Sequence, residues 1–177
     1  MRYAELHCRT NFSFLEGASH PDELVERAVE LGYAALAVTD VNSLAGVVRA
    51  HGAAKPLGLK LLVGAEVTPT DAERLVLWAA DRASYGRLTR LLTVGRRRAE
   101  KGQCELTLDD IAQYSDGLLA GVLPGADDLH AYREIFGDRG YLLAELHYGA
   151  SDHRRCDELL RLSRESRLPL VAAGDVH

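Results

Sequence analysis

The chain has 177 residues, of which 47% are hydrophobic and 27% are charged, which suits one globular domain with a sizeable core. Its formal net charge of -5 excludes a surface that is basic all over and binds nucleic acid by charge alone. One local basic run remains, made of Arg96, Arg97, Arg98 and Lys101. We interpret this run as a solvated helix end, with binding as the alternative.

Cysteine usage and hydropathy indicate where the protein resides. The three cysteines, Cys8, Cys104 and Cys156, lie far apart and form no CxxC motif, so neither a disulfide framework nor a zinc knuckle is predicted. No apolar run approaches the roughly 18 residues that cross a bilayer, and the charged stretch MRYAELHCRTN does not fit a signal peptide. These features predict a soluble, cytoplasmic protein with no membrane partner.

Short apolar, β-branched runs alternate with helical patterns along the chain. In order, the predicted strands are Tyr3–Cys8, Ala35–Asp40, Leu59–Val67, Leu75–Asp81, Gly117–Leu123, Tyr141–His147 and Leu168–Val176. The predicted helices are Pro21–Leu31, Ser43–Lys55, Tyr85–Arg98, Leu108–Tyr114, Ala126–Phe136 and Asp152–Arg167. The first helix shows the usual punctuation, because Asp22 and Glu23 stand in its first turn and Gly32 follows it.

The alternation of strands and helices predicts the fold class. Strands separated by single helices are expected to pair in parallel through right-handed crossovers. The runs AALAVTD, LVLWAAD and LPLVAAGD are almost continuously apolar, as in strands that are covered on both sides. An open doubly wound sheet and a barrel both satisfy this pattern. The chain ends at His177 directly after a strand, from which we expect a fragment of a longer polypeptide.

Acidic and histidine side chains collect at the ends of the predicted strands. In chain order these ends carry His7, Asp40, Glu66, Asp81, Glu145, His147, Asp175 and His177. In parallel α/β folds, ligands bind outside the carboxyl ends of the strands, and barrels draw catalytic residues from several such ends at once. Because imidazole nitrogens and carboxylate oxygens bind zinc or manganese, the pattern predicts a divalent-metal site.

Ordinary structural roles compete with this interpretation. Asp40 and Asp81 each precede a helix, so each carboxylate could simply cap it. Four lone histidines are interpreted as surface or satisfied core residues: His20, His51, His130 and His153. The sequence has no GxGxxG after the first strand, no GxxxxGK[ST] and no GxSxG, which argues against dinucleotide, P-loop and serine-hydrolase chemistry.

Three stretches of the chain resemble a known family. They are LHCRTNFSFLEGASHPDELVERAVELGYAALAVTD, the continuation LAGVVRAHGAAKPLGLKLLVGAEV, and the terminal LPLVAAGDVH. Together they resemble the polymerase-and-histidinol-phosphatase (PHP) domain at the N-terminus of bacterial C-family DNA polymerases, the family of the polymerase III alpha subunit. The first stretch is especially similar to the error-prone, damage-inducible branch of that family.

The resemblance implies an α/β fold, a distorted (β/α)7-type PHP barrel. Residues 1–177 would form one PHP domain that is cut short before its last elements and leaves the barrel unclosed. The parent chain would be a DNA-directed DNA polymerase that copies DNA across lesions, with its polymerase aspartates beyond residue 177. The partners implied are the rest of the polymerase chain, DNA through the parent enzyme, and replication or damage-response proteins.

The resemblance also implies a set of metal ligands. Metal-binding members of the family carry HxH on the first strand, an acid in the loop after it, TDH after the second strand, a glutamate on the third, a histidine opening the fourth and DxH after the last. The residues of this sequence that match are His7, Glu16, Glu66, Asp175 and His177, with Asp40 and His147 as additional candidates. Three positions depart from the pattern: Arg9 in HxH, Val41 in TDH, and Arg74 at the fourth strand.

These departures weaken the expected metal site, because a guanidinium cannot coordinate a cation. Our hypothesis is that Arg9, and Arg74 with it, pairs with the retained acids and fills the site with an ion-pair network. Zinc or manganese at partial occupancy stays open, but the expectation is that no metal binds. No residue of this chain is assigned a catalytic role.

Three functions therefore compete. The leading one is a structural or accessory module of an error-prone DNA polymerase with a degraded metal site. The second is an active metal-dependent 3′–5′ exonuclease or phosphoesterase, for which an intact HxH and TDH would be expected. The third, a stand-alone small-molecule phosphatase such as histidinol phosphatase, is disfavoured by the same missing ligands.

Overall fold

Strands and helices alternate in the computed structural model, which describes residues 3–125 and 129–177. The strands are β1 (Ala4–Glu5), β2 (Ala35–Val38), β3 (Lys60–Val67), β4 (Leu75–Ala79), β5 (Leu118–Val122), β6 (Gly140–Glu145) and β7 (Leu170–Ala173). The helices are α1 (Pro21–Glu30), α2 (Val47–Leu57), α3 (Arg82–Arg98), α4 (Leu108–Tyr114), α5 (His130–Phe136) and α6 (Asp152–Ser166). Each predicted element is found, although the start of the predicted helix Ala126–Phe136 lies outside the described residues.

Two helix starts differ from the prediction for local reasons. Helix α3 begins at Arg82 because the Asp81 carboxylate caps it, accepting a hydrogen bond from the Ser84 amide at 2.7 Å. Helix α2 begins at Val47, four residues later than predicted, because the Ser43 hydroxyl binds the Ala45 amide in a local turn that competes with the helix. In the described part of the chain, no helix combines the length and apolar character needed to cross a membrane.

The seven strands form one sheet in sequence order, β1 to β7, but they are not all parallel. Strand β4 runs antiparallel to both β3 and β5, whereas the other neighbouring pairs are parallel. The prediction of uniformly parallel pairing was therefore wrong at β4. The physical reason is the connection: residues 68–74 contain no helix and are too few for a parallel crossover, which needs about a dozen residues or more.

The sheet curls into a nearly closed ring. Cys8 and Val176 form a parallel bridge, and the Val176 amide donates to the His7 carbonyl at 3.0 Å. Further along the seam the buried Glu5 carboxylate replaces ladder hydrogen bonds, because its Oε1 accepts from the Gly174 amide at 2.9 Å. The sequence predicts an unclosed barrel. In the described residues, the two end strands β1 and β7 instead meet along a seam that these few contacts bridge.

Helices cover the outer surface of the ring and form two hydrophobic clusters with the strands. Helices α1 and α2 pack against β2 through a cluster that includes Val25, Ala50 and Leu36. Helices α3 to α6 cover β3 to β7 through a larger cluster that includes Leu88 and Phe136. Burying a side chain of this size stabilises the fold by about 1.5–3 kcal/mol, so these outer clusters supply most of the hydrophobic driving force.

Side chains line the inside of the ring in three layers, because every second residue of a strand points inward. The lower layer contains Leu62, Trp78, Leu119, Tyr141 and Val171. The middle layer contains Gly64, Val76, Gly121, Leu143 and Ala173. The upper layer contains Glu66, Arg74, Glu145 and Asp175. We call the end of the barrel at the upper layer the upper mouth, and the opposite end the lower mouth.

The reversed strand moves one predicted site residue to the wrong end of the barrel. Strand β4 starts at the upper mouth and ends at the lower mouth, so Asp81 lies opposite the other strand-end acids. Its carboxylate caps α3, as the alternative interpretation of the sequence proposed. For the same reason Arg74, which precedes β4, stands at the upper mouth among the acids.

Candidate functional site

Six charged side chains meet at the upper mouth, and we call them the charge cluster: His7, Arg9, Glu66, Arg74, Glu145 and Asp175. They come from the start or end of five different elements of the ring. His7 and Arg9 are two residues apart and face the cluster, whereas Cys8 between them packs into the outer core under α1 and α2. The alternation of the extended segment that follows β1 thus separates the charged residues from the apolar one.

His7 lies at the centre of the charge cluster and is fully buried. Its Nδ1 is 2.7 Å from Glu145 Oε1, and its Nε2 is 3.1 Å from Glu66 Oε2. Burial by itself lowers the pKa of the ring, but the hydrogen bonds to the two carboxylates outweigh it and raise the pKa to about 9. At neutral pH His7 is therefore an imidazolium that donates from both nitrogens.

Arg9 is the second cation of the cluster and links its acids. The Arg9 Nε is 2.9 Å from Glu66 Oε2, and its Nη2 is 2.7 Å from Asp175 Oδ1. Its remaining nitrogen, Nη1, lies 3.6 Å from the half-exposed carboxylate of Glu16. A planar guanidinium can meet several oxygens at once, so one side chain here joins three acids.

Glu66 receives more positive neighbours than any other acid of the cluster. Besides His7 and Arg9, the Arg74 Nη1 lies 3.0 Å from Glu66 Oε1. Burial raises the pKa of this carboxyl group, but the hydrogen bond from His7 and the charges of the two arginines hold the pKa below its ordinary value. Glu66 is therefore ionised, and three cations balance its charge together with those of Glu145 and Asp175.

A metal ion would have to compete with these contacts. One potential ligand atom each from His7, Glu145 and Asp175 lies within 4.8 Å of the others, so the set could hold a single cation. His7 would first have to lose a proton, since a ligating imidazole is neutral. Asp175 would have to give up a hydrogen bond from Arg9. These three side chains could therefore bind one metal ion, but only if the present ion pairs are broken.

The comparison with known proteins decides the family. Residues 5–167 match the family model of the PHP domain. The chain belongs to the PHP domain family. This PHP domain is 53% identical to an error-prone DNA polymerase of Rhodopirellula baltica and 51% identical to one of Pseudomonas aeruginosa, each over 99% of its own length. It spans only 17% of the length of either relative.

Solved structures share the fold of this PHP domain at low sequence identity. A Bifidobacterium adolescentis protein assigned as a metal-dependent phosphoesterase aligns over 99% of this chain and 88% of its own, with a TM-score of 0.71 and 16% identity. An amidohydrolase from Chromobacterium violaceum, with bound sulfate and no metal, aligns over 98% and 87%, with a TM-score of 0.65 and 18% identity. These likenesses confirm the predicted PHP-type barrel.

The PHP domain places the other sequence-derived candidates outside the charge cluster. Asp40 is buried and accepts hydrogen bonds from Thr10 and Ser13, so it holds the loop after β1. His147 is exposed, and His177 is exposed with its Nδ1 3.0 Å from the Asp175 carbonyl oxygen. Glu16 reaches only the margin of the cluster through Arg9.

Glu145 is the cluster residue that the ligand prediction missed. The sequence places Glu145 at a strand end, but the family resemblance points to His147, two residues later, as the candidate ligand. The signal was present in GYLLAE, where an acid ends an apolar strand at the same parity as Tyr141 and Leu143. Since both of those residues face the barrel interior, the acid must face it too.

Proposed function

We propose that this PHP domain is the N-terminal accessory module of an error-prone DNA polymerase that acts in damage-induced translesion synthesis in the cytoplasm. About 50% identity to error-prone polymerases over nearly the whole chain supports the parent enzyme. The chain spans only 17% of the length of such a relative, which supports its being one module of a larger chain. Its partners would be the rest of the polymerase, DNA through the parent, and replication or damage-response proteins.

We further propose that the metal site of this module is degraded and that internal ion pairs replace the metal. The observation that carries this proposal is the Arg9 guanidinium, which bonds both Glu66 and Asp175 and so occupies acids that a cation would need. Its positive charge, with those of His7 and Arg74, balances the acids at the upper mouth. The module then stabilises the polymerase without carrying out hydrolysis.

Elemental analysis tests this proposal. After incubation with zinc or manganese and extensive dialysis, the protein should retain far less than one equivalent of either metal. The variant Arg9→His restores HxH and should retain more metal, because it removes the competing cation and adds a ligand. Arg87→His is the matched control, since Arg87 pairs with Asp116 away from the cluster.

Two results would count against the degraded site. One is near-stoichiometric zinc or manganese in the unmodified protein, lost together with stability in Glu66→Ala. The other is an Arg9→His variant that retains no more metal than Arg87→His, which would show that the arginine is not what keeps the metal out.

A second candidate function is that of a metal-dependent 3′–5′ exonuclease or phosphoesterase. The observation that favours it is the convergence of His7, Glu145 and Asp175, which could still hold one ion. A divalent ion there would supply Lewis-acid activation of a phosphoester. Arg74, which is about half exposed at the mouth, could orient the anionic substrate. Manganese-dependent release of nucleotides from a labelled primer, abolished in His7→Ala, would establish this function.

A further inference from the structure

A groove beside the charge cluster takes no part in the function proposed above. It lies between the loop that connects β1 to α1 and the last turns of α3. Two cavities of about 390 and 410 Å³ form it, and they meet at Asn42 and Arg96. One end of the groove is aromatic, and the other is polar and cationic.

The aromatic end presents apolar side chains to solvent. Phe12 and Phe14 line the cavity and are 44% and 84% exposed, and the adjacent Leu15 is 90% exposed. Asp40 fixes the loop that carries them, because its Oδ1 accepts from the Thr10 amide at 2.8 Å and from the Ser13 hydroxyl at 2.8 Å. Neighbouring large apolar side chains that stay exposed to water commonly mark a binding surface.

The polar end presents hydrogen-bond donors and positive charge. Arg96 crosses the middle of the groove, where its Nη2 donates to the Asn42 carbonyl at 2.9 Å. Arg97 is exposed on the wall and forms no ion pair in the described residues, whereas its neighbour Arg98 is bound by Asp110. The remaining wall is built of hydroxyl and apolar groups: Ser43, Leu44, Thr89, Leu92 and Thr93.

The charges that face the groove favour an anion. Its lining contains two arginines and one acid, Glu16. That acid lies 3.6 Å from Arg9, so part of its charge is already balanced. A cationic wall that continues into exposed aromatic rings is the combination that single-stranded nucleic acids require, since phosphates need the cations and unpaired bases need the rings.

We propose that this groove binds a single strand of nucleic acid. Bases stack on Phe14 and Phe12, and phosphates contact Arg97 and the hydroxyl groups of α3. A strand bound in this way approaches the upper mouth past Glu16, so it would lie beside the charge cluster without entering it. The composition of the groove carries this proposal, and it holds whether or not the cluster binds metal.

Fluorescence anisotropy of a labelled 12-nucleotide oligothymidylate, titrated with the 177-residue chain in EDTA, tests the proposal. Phe14→Ala should weaken binding about tenfold, because one stacked base is lost. The dependence of affinity on salt should not change in this variant. Arg97→Gln should weaken binding and also lower the slope of log Kd against log salt by about 0.7, the value for one phosphate contact to a single strand.

Matched controls use exposed residues on α6, away from the groove. Leu160→Ala and Arg164→Gln should bind as the unmodified chain does, because neither side chain lines the groove. All four substituted side chains are exposed, so unchanged thermal unfolding should confirm that each variant folds. Including EDTA separates this test from that of the metal site, which depends on zinc or manganese.

Three outcomes would overturn the proposal. The first is a chain that does not bind the oligonucleotide at low salt, which would leave a protein partner as the occupant of the groove. The second is binding that the α6 variants weaken as much as Phe14→Ala and Arg97→Gln do. The third is tighter binding of a duplex of the same length, because paired bases cannot stack on the two rings. Equal binding of the matching RNA strand would support a site for either single strand.

Discussion

The two mouths of the barrel are built from the same inward-facing positions but hold opposite chemistry. At the upper mouth these positions carry the charge cluster, in which His7, Glu66 and Arg9 are buried and each is paired. At the lower mouth they carry apolar side chains around an open cavity of about 700 Å³. The charged end is therefore the filled one, and the apolar end is the loosely filled one.

This difference shows what each mouth can tolerate. Buried charges are stable only while every partner is present, since an unpaired charge in a protein interior costs several kcal/mol. An apolar lining beside an open cavity has no such requirement and can accept extra volume. We therefore expect substitutions at the upper mouth to be costly and specific, and substitutions at the lower mouth to be mild.

The largest effect is expected for Glu66→Ala. This change leaves His7 and Arg9 buried without their common acid, so the free energy of unfolding should fall by about 3–5 kcal/mol. Urea denaturation measures the loss. Glu16→Ala is the control, because Glu16 is about half exposed and should cost less than about 1 kcal/mol. A loss below about 1 kcal/mol for Glu66→Ala would mean that the cluster does not hold the upper mouth together.

The next effect is the pH dependence that His7 confers. The pKa of His7 is about 9 in the folded chain and about 6.5 for an unperturbed histidine, so protonation favours the folded state. The stabilisation is fully present below pH 6.5 and is lost as the pH rises through about 9, with a magnitude on the order of 3 kcal/mol. Urea denaturation from pH 6 to pH 10 should show this decline, and His7→Gln should remove it. A decline of equal size in His7→Gln would assign it to other groups.

Much of the fold could be predicted from the sequence because its signals are local. The apolar runs and helix punctuation located the seven strands and six α-helices of the described residues, and the boundaries of α4 matched the prediction. The direction of β4 does not follow the prediction, because a parallel pair requires a crossover helix and none lies between β3 and β4. The lack of a helical pattern in residues 68–74 was the signal that this pair is antiparallel.

The site was predicted less completely because it depends on which face of each strand is inward. The strands read as continuous apolar runs, and such runs do not reveal which alternate side chains face the barrel interior. Taken two residues apart, Val76 and Arg74 share a face, as do Leu143 and Glu145. Distances between strands cannot be predicted from the sequence, so the contact of Arg9 with both Glu66 and Asp175 is a hypothesis from the sequence and an observation only in the structure.

A smaller difference in stability is expected between substitutions in the middle layer and substitutions in the lower layer of the barrel. Val76 is fully buried beneath the charge cluster, whereas Val171 lines the lower cavity. Val76→Phe should lower the free energy of unfolding by about 1–3 kcal/mol, because its surroundings are already filled. Val171→Phe should change it by less than about 1 kcal/mol, because the ring can enter the cavity. Similar losses in the two variants would show that the lower mouth is as tightly packed as the layer above it.

The smallest effect concerns Asp81, the strand-end acid at the lower mouth. Its carboxylate binds the Ser84 amide and hydroxyl, and these hydrogen bonds hold its pKa below the ordinary value. Asp81→Ala removes the cap of α3 and should lower the melting temperature by about 2–4 °C. Asp81→Ser keeps a capping oxygen, so its melting temperature should stay close to that of the unmodified chain. Metal retention should be unchanged in both variants. A change in metal retention in Asp81→Ala would mean that the two mouths are coupled, because no contact of Asp81 in the described residues reaches the charge cluster.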